Sequence, residues 1–267
     1  MPETAPRRAR APELARRVAG ALRRRLRRPG PPLSYAAVAG PIHADDDMKH
    51  SEDFDGSHYA RVGESARAAI DRALRDAGRS FADVRSCLDM PCGYGRVLRL
   101  LAREIEPERI TACDINRQAI RFCAREFGAT PLRSTPNLDG TRLGRYDLIW
   151  CGSLVTHLDD ARVEQLLRAF AGALEPGGLA IVTIHAEPPA YGEFAPLHDE
   201  IALALRERGS FHVAYDSALF DYGHAWHTTD HIRAAFAAAS HDALELVSHQ
   251  PRGWDDHQDV LAFRRAA

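Results

Sequence analysis

The stretch that most constrains this chain runs from Cys87 to Ala102, CLDMPCGYGRVLRLLA. Cys87, Leu88 and Met90 around an acid predict a short strand over 86–89. Val97, Leu98, Leu101 and Ile105 recur at helical spacing and predict a helix from Arg96. Between them, Gly93 and Gly95 allow a sharp turn and leave no Cβ in the way of a ligand. A strand, a glycine turn and a helix in this order place a ligand at a helix N-terminus, on the carboxyl edge of a parallel sheet. A dinucleotide cradle would need G-x-G-x-x-G. Here Pro91 stands at the first glycine position and Leu98 at the third, and proline has no N–H to give a pyrophosphate. A nucleotide-binding oxidoreductase is therefore disfavoured.

The next hundred residues repeat the pattern. Residues 109–113 form a second strand ending at Asp114, and Asn116 caps a helix with Ala119, Ile120, Cys123 and Phe127 on its apolar face and Gly128 as its stop. Residues 130–135 read as a third strand, 145–151 as a fourth and 179–184 as a fifth. The acid-P-C-G-Y-G turn, the acid at the second strand's end followed by Ile115, the Tyr146-Asp147-Leu148-Ile149 strand and the Leu174-Glu175-Pro176-Gly177-Gly178 turn together resemble the motifs of class I S-adenosylmethionine-dependent methyltransferases. The resemblance covers residues 59–264. Pro91 departs from the family's usual G-x-G-x-G, and because the cofactor has no phosphate the lost N–H costs little.

That resemblance implies an α/β, Rossmann-like fold: a seven-stranded, mostly parallel sheet with an antiparallel last strand and helices on both faces. It implies that S-adenosyl-L-methionine is the cofactor. Asp89, Gly93 and Gly95 would shape its methionine end, with Pro91 and Cys92 as pocket wall. Asp114 and Ile115 would hold the ribose, and Ser134 and Thr135 would lie by the adenine. Cys151, Gly152 and Ser153, after the fourth strand, would face the reacting methyl. This segment lacks the Asn-Pro-Pro-Tyr/Phe pattern of amide and amino-nitrogen methylating enzymes and resembles small-molecule and glycan-type bacterial members. The implied reaction is methyl transfer to an oxygen or nitrogen of such an acceptor; a catalytically inactive binding module is the alternative.

Two histidines are candidate bases. His157 reads either as a general base, its pKa suited to taking a hydroxyl proton, or as a packed residue at the start of the helix that Asp159 caps. His185 ends the fifth strand on the substrate edge. No metal site is expected: Asp45-Asp46-Asp47 reads as a solvated turn, and His224, His227 and His231 as separate polar contacts, with Thr228 or Thr229 capping the helix over 230–239. Cys92 is not placed as a nucleophile. The five cysteines lack C-x-x-C pairs and are expected reduced, in a cytoplasmic setting.

Charge divides the chain into segments. Residues 7–28 carry ten arginines and one acid, Glu13, although the whole has a net charge of −2. Residues 1–34 form a basic tail, read either as solvated and disordered or as an amphipathic helix on anionic membrane, peripheral at the inner face. It has no apolar h-region of a secretory signal and no aromatic residue for stacking on bases, so no nucleic-acid partner is expected. Residues 35–85 are a helical lead-in with a helix over 58–78, in which Tyr59 either caps the site or packs. Residues 86–267 are the cofactor-binding domain, with an insertion around 186–227 expected to act as a lid, including a helix over 197–208. No apolar run approaches the roughly 20 residues of a membrane span. Oligomeric state has no signature in the sequence.

Overall fold

The computed structural model describes residues 38–138, 141–215 and 222–266; the basic tail lies outside the described residues. After helix α1 (Ser57–Asp76), strand β1 (Cys87–Asp89) leads through the glycine turn into α2 (Leu98–Glu104). Then come β2 (Ile110–Asp114), α3 (Arg117–Phe127), β3 (Thr130–Arg133), β4 (Tyr146–Cys151), α4 (Asp160–Ala173) and β5 (Leu174–Ile184). The chain continues through α5 (His198–Arg208), β6 (Ser210–Ala214), β7 (Gly223–His227), α6 (Thr229–Ser240), β8 (Leu244–Trp254) and β9 (Gln258–Arg265).

Seven strands form one sheet in the order β3-β2-β1-β4-β5-β9-β8. All neighbours pair in parallel except around β9, which runs antiparallel to both β5 and β8. This is the expected mostly parallel sheet with an antiparallel last strand. Successive strand residues face opposite sides of a sheet, and the core divides accordingly. Cys87, Ile110, Leu148, Ile181 and Ala262 pack under α1 and α2 with Ile70, Leu74, Leu98 and Leu101. Leu88, Cys113, Ile149, Val182 and Leu261 pack under α4 and α6 with Leu166, Phe170, Ile232 and Phe236.

The helix ends obey local chemistry. Asn116 accepts from the N–H groups of Gln118 and Ala119, Asp159 from Arg162 and Thr228 from His231, while Gly128 closes α3 at φ 76°. Each side-chain cap contributes about 1 kcal/mol. The first sheet helix starts at Leu98, two residues later than its apolar spacing suggests, because Tyr94–Val97 are spent in turning over the strand edge. Residues 186–227 depart most from expectation. They hold the predicted helix, but the aromatic stretch after it is an antiparallel pair, β6 with β7. Val213 and Trp226 seat that pair on Ile201 and Leu205 of α5, in a small core of their own.

Asp46 also corrects its reading as a solvated residue. It is buried, takes a hydrogen bond from the Tyr59 hydroxyl at 2.7 Å and another from the Met48 N–H at 3.0 Å. Tyr59 is fully buried and also receives a bond from Arg99, so it packs the lead-in onto the domain rather than capping an opening. Among the described residues, no helix is long and apolar enough to cross a membrane.

Candidate active site

The carboxyl edge of β1, β2 and β4 carries the residues that the glycine turn predicted. Asp89, the last residue of β1, is 1% exposed, and its Oδ2 has no hydrogen-bond partner among the described residues. Burial, with the charge of Asp114 adding to it, holds this carboxyl well above the usual range. Asp114 ends β2 and is tied to the turn: Oδ2 accepts from the Gly93 N–H at 2.9 Å and Oδ1 from the Asn116 N–H at 2.7 Å. Burial raises its pKa, and these N–H groups oppose the rise.

The two glycines of the turn serve different purposes. Both have positive φ, 49° at Gly93 and 81° at Gly95. A Cβ on Gly93 would meet nothing within 4 Å, whereas one on Gly95 would lie 2.7 Å from Phe127 Cε2 and 3.1 Å from Cys123 Sγ. Gly93 thus keeps open space beside Asp114, and Gly95 lets α3 pack against the turn. Cys92 and Cys123 point their thiols at the Gly93 carbonyl oxygen, at 3.3 and 3.5 Å. Burial pushes the Cys92 thiol well above its ordinary pKa, so it is a neutral wall and not a thiolate.

A cleft of about 210 Å³ gathers Pro91, Asp114, Ile115, Ser134, Thr135, Ser153 and His157 on one wall system, closed by Leu138, Leu158, Arg162, Gln165 and Tyr222. Asp89, Cys92, Gly93, Gly95, Cys151, Gly152 and His185 are not on its surface. Cys151 is buried in the core of the α4 face, and Gly152 makes room for the rings of Trp150 and Trp254.

Ser153 is held in the left-handed region at φ 58°, a strained state that has to be maintained by its surroundings. A closed ring of hydrogen bonds does so. The Ser153 N–H donates to Thr183 Oγ1 at 2.8 Å, and the Thr183 hydroxyl donates to Gln258 Oε1 at 2.6 Å. The Gln258 amide returns to Ser153 Oγ at 3.1 Å. Sequence reasoning missed Thr183 and Gln258, because the ring joins three positions from three strand ends far apart in the chain.

His157 closes a 3₁₀ turn, Val155–His157, just before α4. Its Nδ1–H donates to the Gly223 carbonyl of β7 at 2.7 Å, with the Tyr215 hydroxyl 3.2 Å from the same nitrogen. A carbonyl can only accept, so the proton is on Nδ1 and the Nε2 lone pair is left as the acceptor. Burial lowers its pKa, with the Gly223 contact opposing, and the ring is neutral at pH 7. His185 has a different setting. Both its ring nitrogens are buried without a hydrogen-bond partner among the described residues, beside His257 and Trp226 at ring separations of 4.9 and 6.1 Å. Burial pushes its pKa down to about 3.

His227 and His231 do not make separate contacts, as their spacing suggested. Both bring Nε2 to Asp160 Oδ1, at 3.5 and 3.1 Å.

Residues 88–180 match the family model described as a methyltransferase domain. No curated protein matches the sequence. Among solved structures, Streptomyces venezuelae DesVI is similar at 18% identity and TM-score 0.55, over 82% of this chain and 99% of that one. The N-methyltransferase NodS from Bradyrhizobium japonicum WM9, solved with S-adenosyl-L-homocysteine, is similar at 16% identity and TM-score 0.51, over 83% and 95%. An O-methyltransferase family protein from Burkholderia thailandensis is similar at 15% identity and TM-score 0.50 over 80% of this chain, which spans 61% of that protein's length.

Proposed function

We propose that the chain is a class I S-adenosylmethionine-dependent methyltransferase and that it methylates an oxygen, or a nitrogen, of a small-molecule or glycan-type acceptor, with His157 as the base. One observation carries this reading: the Nδ1 proton of His157 is committed to the Gly223 carbonyl, so a neutral imidazole lines the cleft with Nε2 as its proton acceptor.

The residues present fit the cofactor. Asp89 has a buried carboxyl oxygen without a hydrogen-bond partner among the described residues, and Gly93 faces open space where a side chain would obstruct. In this reading Asp89 and Gly93 hold the methionine end, Asp114 and Ile115 the ribose, Ser134 and Thr135 the adenine, and Pro91 and Ser153 the walls between. When bound, S-adenosylmethionine supplies a methyl group on a positively charged sulfur. His157 Nε2 takes the proton of an acceptor hydroxyl, and the Gly223 carbonyl stabilises the resulting imidazolium through Nδ1–H. Alignment of the acceptor by the surrounding walls supplies a further part of the rate.

The segment 186–227 serves as the recognition element over the cleft. Support comes from Tyr222, which lines the cleft, and from Gly223, which orients the base. Residues 1–34 contribute peripheral contact with anionic membrane, on the strength of their charge alone. His185, buried away from the cleft, is assigned a packing role.

The test is methyl transfer from methyl-labelled cofactor to a panel of hydroxylated and amino-bearing small molecules and glycans, by wild type and by His157→Gln. With a hydroxyl acceptor, kcat is expected to fall by roughly 10²–10⁴-fold in the variant, with unchanged affinity for S-adenosylhomocysteine. Equal turnover by the two proteins removes His157 from the mechanism.

A further inference from the structure

Away from the cleft, three donors from three elements converge. Asp160 opens α4, His227 closes β7 and His231 lies in the first turn of α6. One ligand atom from each lies within 4.8 Å of the others. The two imidazole nitrogens stand 3.1 and 3.5 Å from one carboxylate oxygen. Ligands at about 2.0–2.1 Å from a tetrahedral zinc ion are separated by about 3.3 Å, so both distances correspond to edges of such a site.

The groups around these three orient them as metal ligands are usually oriented. The Ser210 hydroxyl donates to Asp160 Oδ2 at 2.8 Å and leaves Oδ1 to the imidazoles. The Nδ1 of His231 lies 3.2 Å from where a Cβ on Gly209 would stand, so its Nε2 is the nitrogen that faces Asp160. In the neutral tautomer that carries its proton on Nδ1, Nε2 presents a lone pair to an ion. Gly209, at φ 77°, ends α5 and admits His231, whose Cβ would be 2.9 Å from any Cβ there. The His227 side chain is 1% exposed, and its Nδ1 has no hydrogen-bond partner among the described residues. Burying this ring costs desolvation, while its contact with Asp160, through Nε2, is one that His231 already makes at shorter range. An ion pair needs only one of the two imidazoles; a metal ion uses both.

We propose that Asp160, His227 and His231 form a binding site for a divalent transition-metal ion of the zinc type, with a fourth position left to water. Two imidazoles and one carboxylate select such an ion over magnesium or calcium, which prefer all-oxygen shells. The ion's role is that of a clamp. It ties the β7–α6 junction to the start of α4, directly behind His157, which precedes α4 and is held by β7. The site stands independently of the acceptor and of the base assignment.

The experiment uses the full chain without an affinity tag, stripped by chelator and dialysed, then titrated with Zn²⁺ by calorimetry and with Co²⁺ by visible absorption. The expected result is one Zn²⁺ per chain, intense Co²⁺ bands of a four-coordinate site, and a Zn²⁺-dependent rise in thermal midpoint. Asp160→Ala and His231→Ala should each weaken Zn²⁺ binding by at least about 100-fold, more than loss of an outer partner does. The side chain of His231 is 24% exposed, so its variant keeps the test decisive if Asp160→Ala does not fold. No uptake by the wild type, or uptake of equal affinity by a folded variant, overturns the proposal and leaves a carboxylate–imidazole contact.

Discussion

The two glycines of the turn allow packing and ligand approach to be separated by one pair of substitutions. Gly93→Ala and Gly95→Ala both place an L-residue at positive φ, at a cost of about 1 kcal/mol. The new methyl at position 93 meets nothing within 4 Å, so that cost is the whole of it. At position 95 the methyl would stand 2.7 Å from the Phe127 ring and 3.1 Å from Cys123 Sγ. Phe127 and Cys123 are packed against the core, and overpacking of this kind adds about 1–3 kcal/mol. Gly95→Ala should therefore lose about 2–4 kcal/mol and Gly93→Ala about 1 kcal/mol, read from denaturant midpoints at constant slope. Binding of S-adenosylhomocysteine should rank differently. Gly93→Ala, with its methyl in the space beside Asp114, should weaken it by at least about tenfold despite near-normal stability, a loss of about 1.4 kcal/mol. Equal stability losses in the two variants, or undiminished cofactor binding by Gly93→Ala, would refute the division of labour.

Three further outcomes follow from the site. Asp89 has its folded pKa raised above the ordinary 3.8, so between those two values the folded state holds a proton that the unfolded state has released. Stability from this group therefore falls as pH rises through that window; Asp89→Asn should match or exceed wild type at pH 7, lose that advantage below pH 4, and bind cofactor more weakly. The His157 pKa is lowered from 6.5, so the base keeps its lone pair at neutral pH, and kcat for a hydroxyl acceptor should decline only on acidification below pH 6.5. A decline setting in above that value would contradict the assignment. Deleting residues 1–30 should abolish binding to vesicles containing anionic lipid and leave cofactor affinity unchanged; unchanged vesicle binding ends the membrane reading.

What was legible in the sequence was local. That Asp89 and Asp114 close their strands was readable from the short apolar runs before them, whereas their roles toward a cofactor came only from the resemblance. Asn116 and Asp159 were readable, and the last cap was narrowed to Thr228 or Thr229, because side-chain caps act within three residues. The features missed depend on residues distant in the chain. The ring joining Ser153, Thr183 and Gln258 forms only when β4, β5 and β9 lie side by side. Asp160 meets His227 and His231 only because β6 and β7 fold back over the start of α4, and those strands escaped notice because their aromatic and histidine residues do not alternate cleanly with polar ones. Asp46 looked solvated in a run of three acids; its burial rests on the Tyr59 hydroxyl, thirteen residues away. The glycine turn was half legible, since a sharp turn was foreseen at both positions but only structure separates open space at Gly93 from a packed ring at Gly95.

The central claim is tested most directly by calorimetric titration of S-adenosylmethionine and S-adenosylhomocysteine into wild type and Asp114→Ala. Asp114 joins the turn to the second strand through Gly93 and lines the cleft. The account predicts one cofactor per wild-type chain and loss of binding in the folded variant. Wild-type protein that binds neither compound, or a variant that binds both as tightly as wild type, contradicts it.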